Sequence, residues 1–299
     1  MVQRRKKTNE QNKIQGANVD TAYGLENIWF NAMLEPQTLW VNLGYWENAT
    51  HPSEACANLF RKLLDESHIS TQENFSILEV GCGCAETAQV LLRDYPLQCT
   101  QWVGLTLSPI QVQTADTRLR QAKASNYRIL QADAANPESW SAEIRDSVRS
   151  LQRPWLVALD TLVDFRPSRK SILSYARQEL GASVALTDHL KKENVSALDR
   201  IKLWTSFRLL DTPIDHVLTK TQYVELLIEC GYKKENISVV PYTEHAYAPY
   251  SRFISEQGRR WQDMGGSKWD YMDFSLAGLV TGWWARSGLV EACFIVAKV

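Results

Sequence analysis

The segment from Phe75 to Thr87, FSILEVGCGCAET, brings a carboxylate, two glycines and a helix start into one short run. Phe75–Val80 is an apolar run that fits a buried strand, and Gly81 and Gly83 then make a turn that opens a helix near Glu86. Glycine at 81 and 83 lets a ligand come close to the backbone. The helix start beyond presents unpaired N–H groups and a field that favours a carboxylate. Glu79, at the strand end, can accept from an ammonium group. A ligand with both charges, an amino-acid moiety, suits this loop better than a pyrophosphate. A dinucleotide loop of the form G-x-G-x-x-G needs glycine at position 86, where Glu86 instead sets a negative charge against a pyrophosphate. Taken alone, the segment also fits a tight turn that needs two glycines for its geometry.

Such a loop works only if a sheet holds it, and the rest of the chain supplies one. Runs that fit buried strands occur at Phe75–Val80, Gln101–Leu105, Tyr127–Gln131, Trp155–Leu159, Ser183–Thr187, Ile237–Val240 and Ala292–Val296. Between them, Glu86–Asp94, Pro109–Ala124, Pro137–Ser150, Ser168–Leu180 and Thr221–Cys230 carry apolar residues at helical spacing, several opening on Ser, Thr or Pro. This alternation predicts an α/β fold, a doubly wound, mainly parallel seven-stranded sheet whose ligands bind beyond the carboxyl ends of the strands. Residues 20–68 are predicted to form a helical lid dense in aromatics (Trp29, Phe30, Trp40, Tyr45, Trp46). The stretch Lys191–Leu210 interrupts the repeat, and residues 242–285 add a second aromatic group, so that a helical, aromatic-rich cap is expected. The predicted organisation is a disordered basic and polar tail over 1–19 and one domain over 20–299. Within that domain, 20–68 is the lid, 69–190 the core, and 191–299 the cap insertion and last strands.

Composition narrows the function classes. The chain has 44% hydrophobic and 22% charged residues, close to the globular average. A net charge of -1 leaves no electrostatic footprint for nucleic acid or an anionic membrane. The six cysteines lack the C-x-x-C spacing of a zinc site and fit free buried thiols in a reducing compartment. The start, with its RRKK cluster, lacks an apolar signal core, and no apolar run is long enough to span a membrane. A cytoplasmic protein without metal is expected.

Motif order adds a resemblance. Glu79, Gly81 and Gly83 match the first motif of class I S-adenosylmethionine-dependent methyltransferases, acidic-x-Gly-x-Gly-x-Gly, with Ala85 in place of the third glycine. Val103–Gln111 resembles the G-x-T-L-S-x-x-Q stretch of the cyclopropane-fatty-acid synthase, sterol and tocopherol methyltransferase group. That resemblance implies ribose contacts from Thr106, Leu107 and Gln111, while Ser108-Pro109 is also simply a good helix start. Gln131-Ala132-Asp133-Ala134 resembles the family's adenine site, with Asp133 accepting from the exocyclic amine, although Asp is common as a loop or helix cap there. Asn42–Trp46 is similar to a GYW segment that folds over the methionine end of the cofactor. Tyr45 and Trp46 would there face a sulfonium, since ring faces attract cations; the alternative is ordinary packing.

Two further segments concern the substrate side. Leu159–Arg169 resembles the L-D-x-x-Y-H-F-x-P-S-R form of fungal small-molecule methyltransferases, which carries Asp160 to the cofactor and puts Val163-Asp164 in place of Tyr-His. An aspartate is already ionised near neutrality where a histidine titrates, so either Asp164 acts as a base or the role is lost. Thr243–Tyr250 resembles a late loop at the active-site mouth, in which His245 is the general-base candidate and Glu244 its orienting group or a partner for a cationic substrate. The resemblance spans about residues 35–260, most densely Phe75–Ala134. It implies S-adenosyl-L-methionine as cofactor and methyl transfer to an O, N or C atom of a small organic acceptor. A secondary metabolite or a lipid-like aromatic or apolar molecule is the expected class. A cofactor-binding protein with a ring-forming or binding role is the alternative, and a nicotinamide dehydrogenase a third reading.

Overall fold

The computed structural model describes residues 38–265, 267–269 and 271–299. Seven strands form one sheet: β1 (Phe75–Val80), β2 (Cys99–Thr106), β3 (Tyr127–Gln131), β4 (Pro154–Leu159), β5 (Ser183–Lys191), β6 (Ile237–Pro241) and β7 (Val290–Ala297). Their order is β3-β2-β1-β4-β5-β7-β6. β1 to β5 pair in parallel, whereas β7 runs antiparallel between β5 and β6. After β3 the chain crosses back to the far side of β1, so the order reverses between β1 and β4, the place where open α/β sheets bind ligands.

The helices are α1 (Pro52–Glu66), α2 (Glu86–Asp94), α3 (Pro109–Gln121), α4 (Ala142–Arg149), α5 (Lys170–Gln178), α6 (Ala197–Leu209), α7 (Lys220–Glu229), α8 (Tyr247–Asp263) and α9 (Met272–Ser287). Helices cover both faces of the sheet, so β1 is buried at every position rather than alternately. Ile77 joins an apolar cluster with Phe60, Trp102, Tyr247 and Trp284 on one face. Leu78 joins Leu156, Leu173 and Tyr223 on the other.

Several expected boundaries move for local reasons. β5 continues past Thr187 to Lys191 because β7 pairs with it as far as Val290. The expected helix over 137–150 splits into a single 3-10 turn at Pro137–Ser139 and α4, whose first turn is capped by the Ser141 side chain accepting from the Ile144 amide. The expected helical lid over 20–68 is helical among its described residues only from Pro52. The path over 38–51 is irregular, with Gly44 and Asn48 at positive φ. Trp29 and Phe30, like the tail 1–19, lie outside the described residues. The cap consists of α6 and of the antiparallel neighbours α8 and α9.

One buried ion pair ties these layers together. Arg169, just before α5, donates to Asp188 on β5, and their side chains are 5% and 0% exposed. The Arg169 guanidinium also donates to the His216 carbonyl and lies 5.3 Å from the Tyr223 ring centroid.

Candidate active site

The carboxyl ends of β1, β2, β3 and β4 bring the sequence motifs to one edge. The Gly81 and Cys82 amides donate to the Leu105 carbonyl at 2.9 and 3.2 Å, which docks the loop after β1 onto β2. The two glycines do different work. Gly81 has φ +67°, and a Cβ there would sit 2.8 Å from the Thr161 Cβ, so its small size makes room for the loop after β4. Gly83, at φ +53°, faces open space: a Cβ there would meet no atom within 4 Å. Of the two, only Gly83 leaves free space beside its backbone. Ala85 adopts the left-handed conformation, φ +61°, as N-cap of α2, a backbone position that suits glycine better than alanine.

Glu79 is buried at the carboxyl end of β1. It is 3% exposed, and its Oε2 accepts from Thr87 Oγ1 and, at 2.9 Å, from Trp102 Nε1. Burial pushes its carboxyl up to about 7, against the two hydrogen bonds, which favour the charged form. Folding therefore takes up a proton between the ordinary value of 4.5 and about 7. Stability from this group is full below that window and falls as pH rises through it, by on the order of 3 kcal/mol in all. Urea denaturation at pH 5 and pH 8 is expected to show Glu79→Gln gaining on the wild type as pH rises. A constant difference between the two proteins would contradict this.

Glu86 corrects one argument from sequence. Its carboxylate does not face a ligand uncompensated: it is paired with Arg118 at 2.8 Å and accepts from the Leu39 amide at 2.6 Å, while Arg118 also donates to the Cys84 carbonyl. Charge at Glu86 is thus no barrier to a pyrophosphate. What separates this sheet from the dinucleotide-binding order 3-2-1-4-5-6 is the antiparallel β7 inserted beside β5.

At the end of β2, the Thr106 hydroxyl donates to Gln111 Oε1 at 2.6 Å, and both residues are buried. Ser108 caps α3 by accepting from the Gln111 amide, so the helix-start reading of this segment holds as well. The Leu107 carbonyl accepts from Gln131 Nε2. After β3, Asp133 Oδ1 accepts from the Ala135 amide at 2.9 Å, and its carbonyl accepts from Trp140 Nε1 at 2.8 Å; Ala134 beside it is buried. After β4, Asp160 holds φ +52°. Its Oδ1 accepts from Thr187 Oγ1 at 2.6 Å and its Oδ2 from the Leu43 amide at 3.4 Å, linking β4, β5 and the segment before α1.

That segment separates the two aromatics expected to act together. The Tyr45 ring centroid lies 4.6 Å from that of His245 and packs near Tyr242 and Phe294, with its hydroxyl donating to Glu47. Trp46 turns away into a separate cluster with Phe253, Ile254 and Tyr271, and its Nε1 donates to the Leu43 carbonyl. Trp46 therefore anchors the segment to α8, and the pair does not form one cage. His245 Nε2 is 3.3 Å from Glu244 Oε1, but the Glu244 side chain is 85% exposed. The Trp46 amide donates to the His245 carbonyl at 2.7 Å. Asp164 sits in a 3-10 turn after β4; His216 nearby is held below the ordinary imidazole value by burial and by Arg166, against a smaller opposing pull from Asp164.

Sequence reasoning passed over a polar row on β5. Thr187 and His189 share one face of the strand. His189 Nδ1 lies 2.9 Å from the Tyr247 hydroxyl, and Trp284 packs against both rings. Tyr242 and Tyr247 are buried, and burial together with Asp160 pushes both hydroxyls well up. The available signal was the position of Thr187-Asp188-His189 at a strand's carboxyl end. All six cysteines are buried and free. Among the described residues, no group of His, Cys, Asp and Glu is arranged to hold a metal, and no helix is long and apolar enough to cross a membrane.

The glycine loop, the strand order and the position of the last strand define the class: the chain has the class I S-adenosylmethionine-dependent methyltransferase fold. A structure described as a sarcosine dimethylglycine methyltransferase from Galdieria sulphuraria matches 93% of this chain and 98% of its own at TM-score 0.71 and 13% identity. The cyclopropane synthase MmaA2 from Mycobacterium tuberculosis matches 96% and 100% at TM-score 0.67 and 17% identity. Among curated proteins, a malonyl-[acyl-carrier protein] O-methyltransferase from Paenibacillus sp. (strain JDR-2) is 30% identical over 87 residues. That match spans 29% of this chain and 30% of the relative's length. No family model matches the chain.

Proposed function

We propose that this protein binds S-adenosyl-L-methionine and transfers its methyl group to an O, N or C atom of a small organic acceptor. The observation that carries this reading is the open cradle at Gly83, beside the start of α2 and in line with Thr106–Gln111 and Asp133 at the ends of three adjacent strands. When bound, the cofactor supplies a methyl group already activated on a sulfonium. In this reading Gly83 and the first turn of α2 receive the methionine carboxylate. Thr106, Leu107 and Gln111 take the ribose, and Asp133 with Ala134 takes the adenine. Tyr45 and Asp160 border the methyl-transfer point. The chain's work is then to align the acceptor and exclude water, which the strap at Tyr45 and the cap helices serve.

For O or N acceptors a proton must leave. His245, tilted against the Tyr45 ring with Glu244 alongside, is the proposed base, and Asp164 on the β4 side is the second candidate. The buried aromatic cluster of Tyr242, Tyr247, Phe207 and Trp284, which packs with Tyr45, supports an apolar or aromatic acceptor of the lipid or secondary-metabolite type, and the proposed setting is the cytoplasm. The test is calorimetry with S-adenosylmethionine, followed by assay of S-adenosylhomocysteine release with phenols, amines and polyenes. Micromolar binding is expected, weakened roughly tenfold in Asp133→Ala through loss of a charged hydrogen-bond acceptor. Absence of binding by the folded protein would overturn the reading. Binding without product from any acceptor would instead favour a ring-forming or binding role.

A further inference from the structure

Away from the cofactor loops, the carboxyl end of β5 opens on a cleft of about 330 Å³ between that strand, α6 and the start of α7. Its inner wall is apolar: Val195, Leu203 and Ile214, which pack in the same cluster as Tyr242, Tyr247 and Trp284. Its rim is cationic, with Lys191 half-buried and Lys192 and Arg200 exposed. Among the described residues, no carboxylate lies within ion-pair distance of any of the three. The acids nearby are otherwise placed. Glu193, in the cleft itself, accepts from the Thr221 amide at 2.9 Å at the start of α7. Asp199 is bonded to Ser196 and Lys202 and acts on Lys192 only at longer range, and Asp215 likewise acts on Lys191 only at longer range. The lysine ammonium is partly desolvated without a counter-ion in contact, a cost that an incoming anion would offset.

We propose that this cleft holds the anionic end of the acceptor, a molecule with an apolar body and a carboxylate or phosphate head. Lys191 follows Thr187, the partner of Asp160, by four strand positions on the same face. Thr187 and Lys191 are thus about 13 Å apart along the strand, roughly the length of a ten-carbon chain with its head group, which is the span the proposal sets between the methyl-transfer point and the head. The assignment of this molecule as acceptor rests on the methyl-transfer reading, whereas its binding to the cleft does not.

The test compares decanoate, decyl phosphate and decanol by calorimetry on the full chain, wild type and Lys191→Gln/Arg200→Gln. Both anions are expected to bind at least about tenfold more tightly than decanol, and the double variant to lose about tenfold for the anions alone. The tighter anion identifies the head group. S-adenosylmethionine affinity measured on the same samples should not change, which shows that the variant is folded. Equal binding of decanol and the anions, no anion binding, or an unaffected double variant would overturn the proposal. Loss of anion binding in a variant that still binds decanol and unfolds in urea as the wild type does, with no S-adenosylmethionine binding by either protein, would leave the cleft assigned and remove the methyl-transfer reading.

Discussion

Asp188→Ala is expected to lower folding stability by about 3–5 kcal/mol, because it leaves the Arg169 guanidinium buried without its counter-charge. The pair has side-chain exposures of 5% and 0%, so neither group can turn to water in the folded state. Arg169 also holds the His216 carbonyl and faces the Tyr223 ring, and the loss would therefore loosen α5 and the connection before α7 together. Asp188→Asn keeps the acceptor for the His189 amide, now 2.8 Å away, but not the charge, and should recover only a minor part. Replacing both partners, Arg169→Met with Asp188→Leu, removes the uncompensated charge and should restore most of the stability. Urea denaturation of the four proteins at pH 7 checks this. A double variant as unstable as Asp188→Ala would show that the charge is not the cause.

The second large effect separates the two glycines. Gly81→Ala combines a positive φ with a Cβ inside the van der Waals space of Thr161, and should destabilise by roughly 2–4 kcal/mol. Gly83→Ala meets no neighbour and bears only the left-handed strain, about 1–2 kcal/mol. The same methyl group intrudes on the proposed cofactor cradle, so affinity for S-adenosylmethionine should fall by at least about tenfold, a change of some 1.4 kcal/mol. Paired urea and calorimetric measurements decide it. If Gly81→Ala proves the stable variant, or Gly83→Ala binds like wild type, the assignment of the cradle to Gly83 is wrong.

Much of the scaffold could be read from residue order. β1, β3 and α2 fall at their expected bounds, because each is a run whose burial and punctuation are local: Val80-Gly81 ends β1 and Glu86 opens α2. The Thr106–Gln111 pairing was equally local, since α3 starts at Pro109 and carries Gln111 back over the strand end. The roles of Glu79 and Glu86 were not local. Each is defined by a partner from another element, Trp102 on β2 and Arg118 on α3, and a carboxylate's environment follows from what is packed on it.

The substrate side was the least legible. Tyr45 and Trp46 are adjacent in sequence, yet they enter different clusters, Tyr45 packing with Tyr242 and Phe294 beside the last strands and Trp46 with Phe253 and Ile254 of α8. His189 and Tyr247 meet only because the fold brings the first residue of α8 beside β5. By itself, then, the sequence determined the alternating elements, the mainly parallel sheet and the edge on which a ligand would sit, since periodicity, turns and caps act over a few residues. The tertiary structure alone decided that β7 would run antiparallel between β5 and β6, that Gly81 would pack against Thr161 while Gly83 faced open space, and that Lys191, Lys192 and Arg200 would border one cleft. Those outcomes depend on contacts between segments far apart in the chain, where the cost of bringing them together is met only by the burial of the whole core.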